Sequence, residues 1–158
     1  MKRFFSFVAV IMSVLIIGGA MAACNLNGSG STAETDFKVS YCNMNARTKG
    51  NLEEGSFNRK IVSFESWVEL TKSLPEGIPT YSSDYFDHNS LIVCVGKCGT
   101  GGAELQNVRL SIDNDVATVT VNAKNGILTV VTDWVLILEI SGNKLENVNT
   151  IEVKADFQ

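Results

Sequence analysis

Four cysteines, a single histidine and a run of glycines are the parts of this 158-residue chain whose types and spacing could do chemistry. Cys42, Cys94, Cys98 and His88 together have the composition of a Cys₃His zinc site. C-x₃-C without a second close pair is poor zinc spacing, so no metal and no cofactor is expected. Cys98 with His88 is the one thiol–imidazole combination that could act as nucleophile and base, and it would need a thiol of depressed pKa. Asp84 and Asp87 lie beside His88, but no serine sits in a G-x-S-x-G elbow. Asp113 and Asp115 have the D-x-D spacing that opens a calcium loop, yet Thr118 stands where an EF-hand requires glycine, and a hairpin turn accounts for both aspartates. Glu53-Glu54 reads as solvated charge in a polar connection.

The glycine run Gly96-Lys97-Cys98-Gly99-Thr100-Gly101-Gly102 is the most unusual loop. Its glycines permit positive φ and close backbone approach, which a tight turn, a ligand or an inserted partner loop would each require. Lys97, Gly99, Thr100, Gly101 and Gly102 are therefore the candidate binding loop, with a plain hairpin connection as the alternative. Neither GxGxxG nor GxxxxGK[ST] is present and the glycines lead into a strand, which argues against a phosphate cradle.

Met1–Cys24 reads as an address. Lys2 and Arg3 precede the apolar run Phe4–Ile17, and small residues lead to Cys24, the pattern of a secretory signal peptide. Met21-Ala22-Ala23-Cys24 resembles the bacterial lipobox, with Met21 where Leu, Val or Ile is usual. That resemblance implies cleavage after residue 23 and acylation of Cys24, hence a membrane anchor facing outside the cytoplasm. Cleavage after Ala22 in Ala20-Met21-Ala22 is the competing reading and would give a secreted protein. Residues 24–35 form a Ser/Gly/Asn spacer, leaving 36–158 as a single domain. Removing Lys2 and Arg3 from the 13 basic residues leaves 11 against 17 acidic ones, a formal charge of −6. That charge argues against nucleic acid as a partner, and no aromatic series interleaves with the scattered cations.

With Cys24 acylated, Cys42, Cys94 and Cys98 form an odd set that leaves at least one free thiol. An extended strand would separate Cys94 from Cys98 by roughly 13 Å, beyond disulfide reach, and only a sharp turn at Val95–Lys97 would allow that bridge. Pairing of Cys42 with either, or three unpaired thiols, stays open.

These residues must be positioned mainly by strands. Period-two alternation from Phe37 to Tyr41 predicts a first strand, a polar stretch Asn43–Ser56 follows, and Arg59–Phe64 predicts a second strand. Phe64, Trp67, Val68, Thr71 and Leu74 then fall on one helical face after Ser63 as N-cap, so an amphipathic helix is expected over Phe64–Leu74, stopped by Pro75 with Trp67 in the core. Leu91–Val95 reads as a buried central strand. Leu105–Ile112 and Val116–Ala123 read as a hairpin turning at Asp113–Asp115. Thr129–Ile140 reads as one long strand, with Val130-Val131 and Leu136-Ile137-Leu138 implying burial on both faces or a bulge, and Thr150–Lys154 as the last. The expected fold is α+β and β-rich: about seven strands in a mostly antiparallel sheet or partly closed barrel, with one amphipathic helix.

Tyr85-Phe86, Ser90-Leu91-Ile92-Val93, Thr100-Gly101-Gly102, the hairpin and Trp134–Ile140 together resemble the C-terminal domain of the protease complex subunit PrcB family, over roughly Ser83–Val153. Gly99 and Ala103 stand where a typical family loop has Pro and Tyr. The resemblance implies a non-catalytic, protease-associated protein-binding role in a secreted or lipid-anchored bacterial protein, with an envelope or surface protein as partner. A chagasin-like protease inhibitor using its glycine loops, and a thiol enzyme or redox protein using Cys98 and His88, are the alternatives.

Overall fold

The computed structural model describes residues 35–46 and 56–158. The signal segment, Cys24, nearly all of the spacer and Glu53-Glu54 lie outside the described residues. Seven strands and one helix follow in order: β1 (Lys38–Ala46), β2 (Phe57–Ile61), α1 (Phe64–Thr71), β3 (Asn89–Cys98), β4 (Glu104–Asp113), β5 (Val116–Lys124), β6 (Thr132–Ser141) and β7 (Thr150–Phe157), with a 3₁₀ turn at Ser83–Asp87. The fold is α+β and mostly antiparallel.

The strands form two sheets rather than one. β1-β6-β3-β2 is antiparallel throughout, and β4-β5-β7 pairs β4 with β5 antiparallel but β5 with β7 in parallel. β2 approaches β7 and β1 approaches β4 at the corners. Among the described residues no ladder joins the sheets, so of the expected sheet or partly closed barrel the open-sheet form holds, as a sandwich of two sheets.

Burial on both faces explains the continuous apolar runs of β3 and β6. One face of the four-stranded sheet packs through Ile92, Cys94, Leu136, Leu138 and Ile140 on Val108, Leu110, Val119 and Val121 of the second sheet. Its other face packs through Leu91, Val93, Val135 and Ile137 under Trp67, Leu70, Leu74 and Tyr81. The result is three layers, helix on sheet on sheet. β5 alternates strictly between buried and half-buried residues because only one face of its sheet is covered.

Local chemistry sets the helix. Ser63 caps it, its Oγ accepting from the Ser66 amide at 3.2 Å. The helix ends at Thr71, three residues earlier than the apolar spacing predicts. Ser73 and Leu74 donate back three residues in the tightened final turn, and Pro75 stops further winding. Val68 is off the buried stripe, 42% exposed. The polar stretch predicted from Asn43 also needs correction: β1 runs on to Ala46, with Met44 and Ala46 buried. β2 spans Phe57–Ile61, two residues earlier at its start than expected.

Candidate functional site

All strands run between two poles. β1 begins at Lys38, opposite Glu139, and ends at Ala46, opposite Asp133. Cys98 at the end of β3 pairs with Thr132 at the start of β6. The glycine loop and the segment joining β5 to β6 therefore share one pole. The hairpin turn and the arriving N-terminal segment share the other, where the Thr35 amide donates to the Leu110 carbonyl at 3.1 Å.

The glycine loop is shorter than the sequence suggests, because β3 continues through Gly96, Lys97 and Cys98. Lys97 belongs to the strand, exposed and opposite Asp133. Gly96 pairs with Trp134, and a Cβ at Gly96 would lie 2.6 Å from the indole ring. Its glycine is thus required by packing. At Gly99 a Cβ would meet nothing within 4 Å, so packing makes no such demand there. Gly102 has φ +83°, the left-handed region that suits glycine, and its amide donates to Asn45 Oδ1.

Gly101 joins this loop to the next one. Its amide donates to the Leu128 carbonyl at 2.8 Å, and the Leu128 amide donates back to its carbonyl at 3.2 Å. Gly126 is required by that approach, since a Cβ there would sit 1.9 Å from the Gly101 oxygen. Thr100 adds a polar clamp: its hydroxyl donates to Asn125 Oδ1 at 3.2 Å and accepts from the Gly126 amide at 3.1 Å. The sequence candidates Thr100, Gly101 and Gly102 are thereby brought together with Asn45, Asn125, Gly126 and Leu128.

The outcome is an aliphatic ribbon held on a fixed backing. Ile127 is 95% exposed, Leu128 56%, Val130 57% and Val131 65%. Single exposed aliphatics are ordinary, but four within five residues on a braced loop are not. Opposite charges face each other around it, Lys97 across from Asp133 and Glu104 across from Lys124, leaving the tip electrically balanced. The expected strand over Thr129–Ile140 is corrected here, since β6 starts at Thr132 and Val130-Val131 are exposed rather than doubly buried. The Asn125-Gly126 dipeptide is the turn signal that separates ribbon from strand.

No family model, curated protein or solved structure matches this chain.

The thiols are built into the core. No disulfide joins Cys42, Cys94 or Cys98. Cys42 and Cys94 both stand opposite Leu136, one strand to each side, so Leu136 lies between them at a separation of roughly 10 Å, too wide for a disulfide. Burial pushes the Cys94 thiol up to about 12, the reverse of an activated thiolate. His88 precedes β3 and Cys98 closes it, so the strand's whole length, roughly 30 Å, separates imidazole from thiol. They form no dyad. Among the described residues no three His, Cys, Asp or Glu side chains gather to hold a metal.

Two further features lie at the helical layer. The Tyr81 hydroxyl sits 2.8 Å from Ser40 Oγ and 2.9 Å from Glu139 Oε1, and Lys38 Nζ donates to the other Glu139 oxygen at 3.2 Å. Burial and then the Glu139 charge raise the Tyr81 pKa, keeping the phenol neutral. This network ties the segment after α1 to β1 and β6. An open groove of about 380 Å³ runs between α1 and Pro75–Tyr81, lined by Phe64, Val68, Leu74 and Ile78 among others.

Proposed function

We propose that this chain is a lipid-anchored, extracytoplasmic protein-binding module without catalytic activity, and that the ribbon Ile127–Val131 with the Gly99–Gly102 loop is its contact surface for an envelope or surface protein. The observation that supports this most is the ribbon: four exposed aliphatic side chains on a loop braced by Gly101, Gly126 and Thr100. Exposed apolar surface held in one shape loses little entropy on binding, which favours recognition over turnover.

The polarity of the strands supports the anchored reading. A chain tethered at Cys24 would reach the domain at Thr35, and the ribbon stands at the far pole, roughly 27 Å away along the nine residues of β1. A tether arriving at that pole leaves the ribbon at the opposite end of the domain. The PrcB resemblance adds a protease or protease-associated protein as the class of partner.

Affinity purification of the tagged full-length protein from native membranes after mild cross-linking tests this, with Cys24→Ala alongside. The reading expects one enriched envelope protein, and membrane association lost in the Cys24→Ala version. Enrichment of nothing above background removes the protein-binding role; unchanged membrane association of Cys24→Ala removes the anchor. Inhibition of the recovered partner's proteolysis by the domain would move the assignment to a chagasin-like inhibitor.

A further inference from the structure

We propose that Asn125 is a site of spontaneous deamidation whose rate is governed by the Thr100 hydroxyl, and that its conversion releases the aliphatic ribbon from the glycine loop. Asn-Gly is the dipeptide in which a side-chain amide closes most readily onto the following backbone nitrogen, because glycine offers neither a Cβ nor a narrow range of φ and ψ to oppose the ring. This fold cannot avoid the dipeptide. A Cβ at residue 126 would strike the Gly101 carbonyl oxygen at 1.9 Å, so glycine must follow Asn125, on an exposed loop where water has access.

The reaction is balanced with water alone. The Gly126 nitrogen gives its proton to solvent base and attacks Asn125 Cγ, forming a C–N bond. The Cγ–Nδ2 bond breaks and ammonia leaves with the proton returned. Water then adds to one or other carbonyl of the succinimide and opens it to aspartate or isoaspartate, each with a new negative charge.

The structure holds both reacting groups. The Gly126 N–H is committed to Thr100 Oγ1, and the same hydroxyl donates to Asn125 Oδ1. Asn125 Nδ2 donates to the Phe157 carbonyl at 3.3 Å, and its backbone amide donates to the Gln158 carbonyl at 2.6 Å. One threonine hydroxyl thus withholds the nucleophile and fixes the electrophile, while the Phe157 carbonyl at the end of β7 holds the leaving nitrogen. Conversion undoes each bond. A carboxylate at 125 has no N–H for the Phe157 carbonyl and repels it. Isoaspartate also inserts a methylene into the backbone immediately before Gly126, where the contact with Gly101 leaves no slack.

Peptide mapping of the full-length protein by mass spectrometry over time tests the proposal, beside a free peptide of sequence 121–131 as the unconstrained reference. The intact protein should convert at least about tenfold more slowly than the peptide, since reaction requires local opening of the clamp. Thr100→Val, which keeps the shape and removes the hydroxyl, should recover most of that rate. Asn125→Gln, whose longer amide closes this ring poorly, should give no product in the same period, and converted protein should be cleaved faster by protease within 125–131. Equal rates for protein and peptide, slower conversion in Thr100→Val, or no product in Thr100→Val when the peptide is fully converted would each overturn it.

Discussion

The indole of Trp134 lies against the backbone of Gly96 on the neighbouring strand, so close that a Cβ at Gly96 would approach its ring atoms to 2.6 Å. Both are buried. Gly96→Ala should cost about 1–3 kcal/mol of stability by overpacking. Gly99→Ala, three residues on and open to solvent, should stay within about 0.5 kcal/mol of the parent. Urea unfolding of the two variants checks both, and equal effects would show that the glycine run acts as one flexible loop.

That contrast marks where the sequence is legible. Alternation, apolar runs and turn residues are local signals, so the seven strands, the Asp113–Asp115 turn and the Ser63 cap can all be read directly. The roles of the glycines cannot. Gly96 answers to Trp134 and Gly126 to Gly101, each a partner more than 20 residues away, so local pattern alone ends β3 three residues short of Cys98. The ribbon misleads for a different reason. Val130-Val131 has the composition of a buried strand, yet among the described residues no strand pairs with it beyond Thr132, and it is exposed.

The two buried thiols should be silent in the native state. Cys94 and Cys98 are buried, so a thiol reagent at neutral pH should label them only as fast as the protein opens. The Cys94 thiol also makes stability depend on alkaline pH. Its pKa is raised from an ordinary value of 9.0 to about 12, so the native state keeps a proton that the unfolded chain releases. Its contribution is therefore complete below pH 9 and declines as pH rises toward 12, by roughly 1.4 kcal/mol per pH unit at most. Tyr81 and Tyr85, also raised by burial, add to the decline above about pH 10. Urea midpoints between pH 7 and 11 should fall less steeply for Cys94→Ala than for the parent, and parallel curves would contradict the assignment.

Tyr81 links three parts of the structure that are distant in sequence. Tyr81→Phe removes the hydroxyl from Ser40 and Glu139 while keeping the ring against Trp67, whose centroid lies 5.2 Å away. Glu139 retains Lys38, so no charge is stranded. The expected loss is about 0.5–1.5 kcal/mol. Glu139→Ala in the Tyr81→Phe background should then cost less than in the parent, because the two share one hydrogen bond. Additive losses in this double-mutant cycle would show that the hydroxyl and carboxylate do not interact.

Two apolar surfaces compete as the contact for a partner, the ribbon and the groove beside α1, and charge substitution separates them. Ile127 is 95% exposed and Val68, on the groove wall, is 42% exposed, so aspartate at either position leaves the core packing of the sheets untouched. Surface changes of this kind fall within about 0.5 kcal/mol, so any lost binding reflects contact rather than unfolding. Ile127→Asp with Val130→Asp places two charges on the ribbon and should abolish recovery of a cross-linked partner by desolvation alone. Val68→Asp should leave recovery unchanged. The opposite pattern, binding lost with Val68→Asp and kept with the ribbon pair, would transfer the interaction to the helical layer and leave the ribbon without a role in recognition.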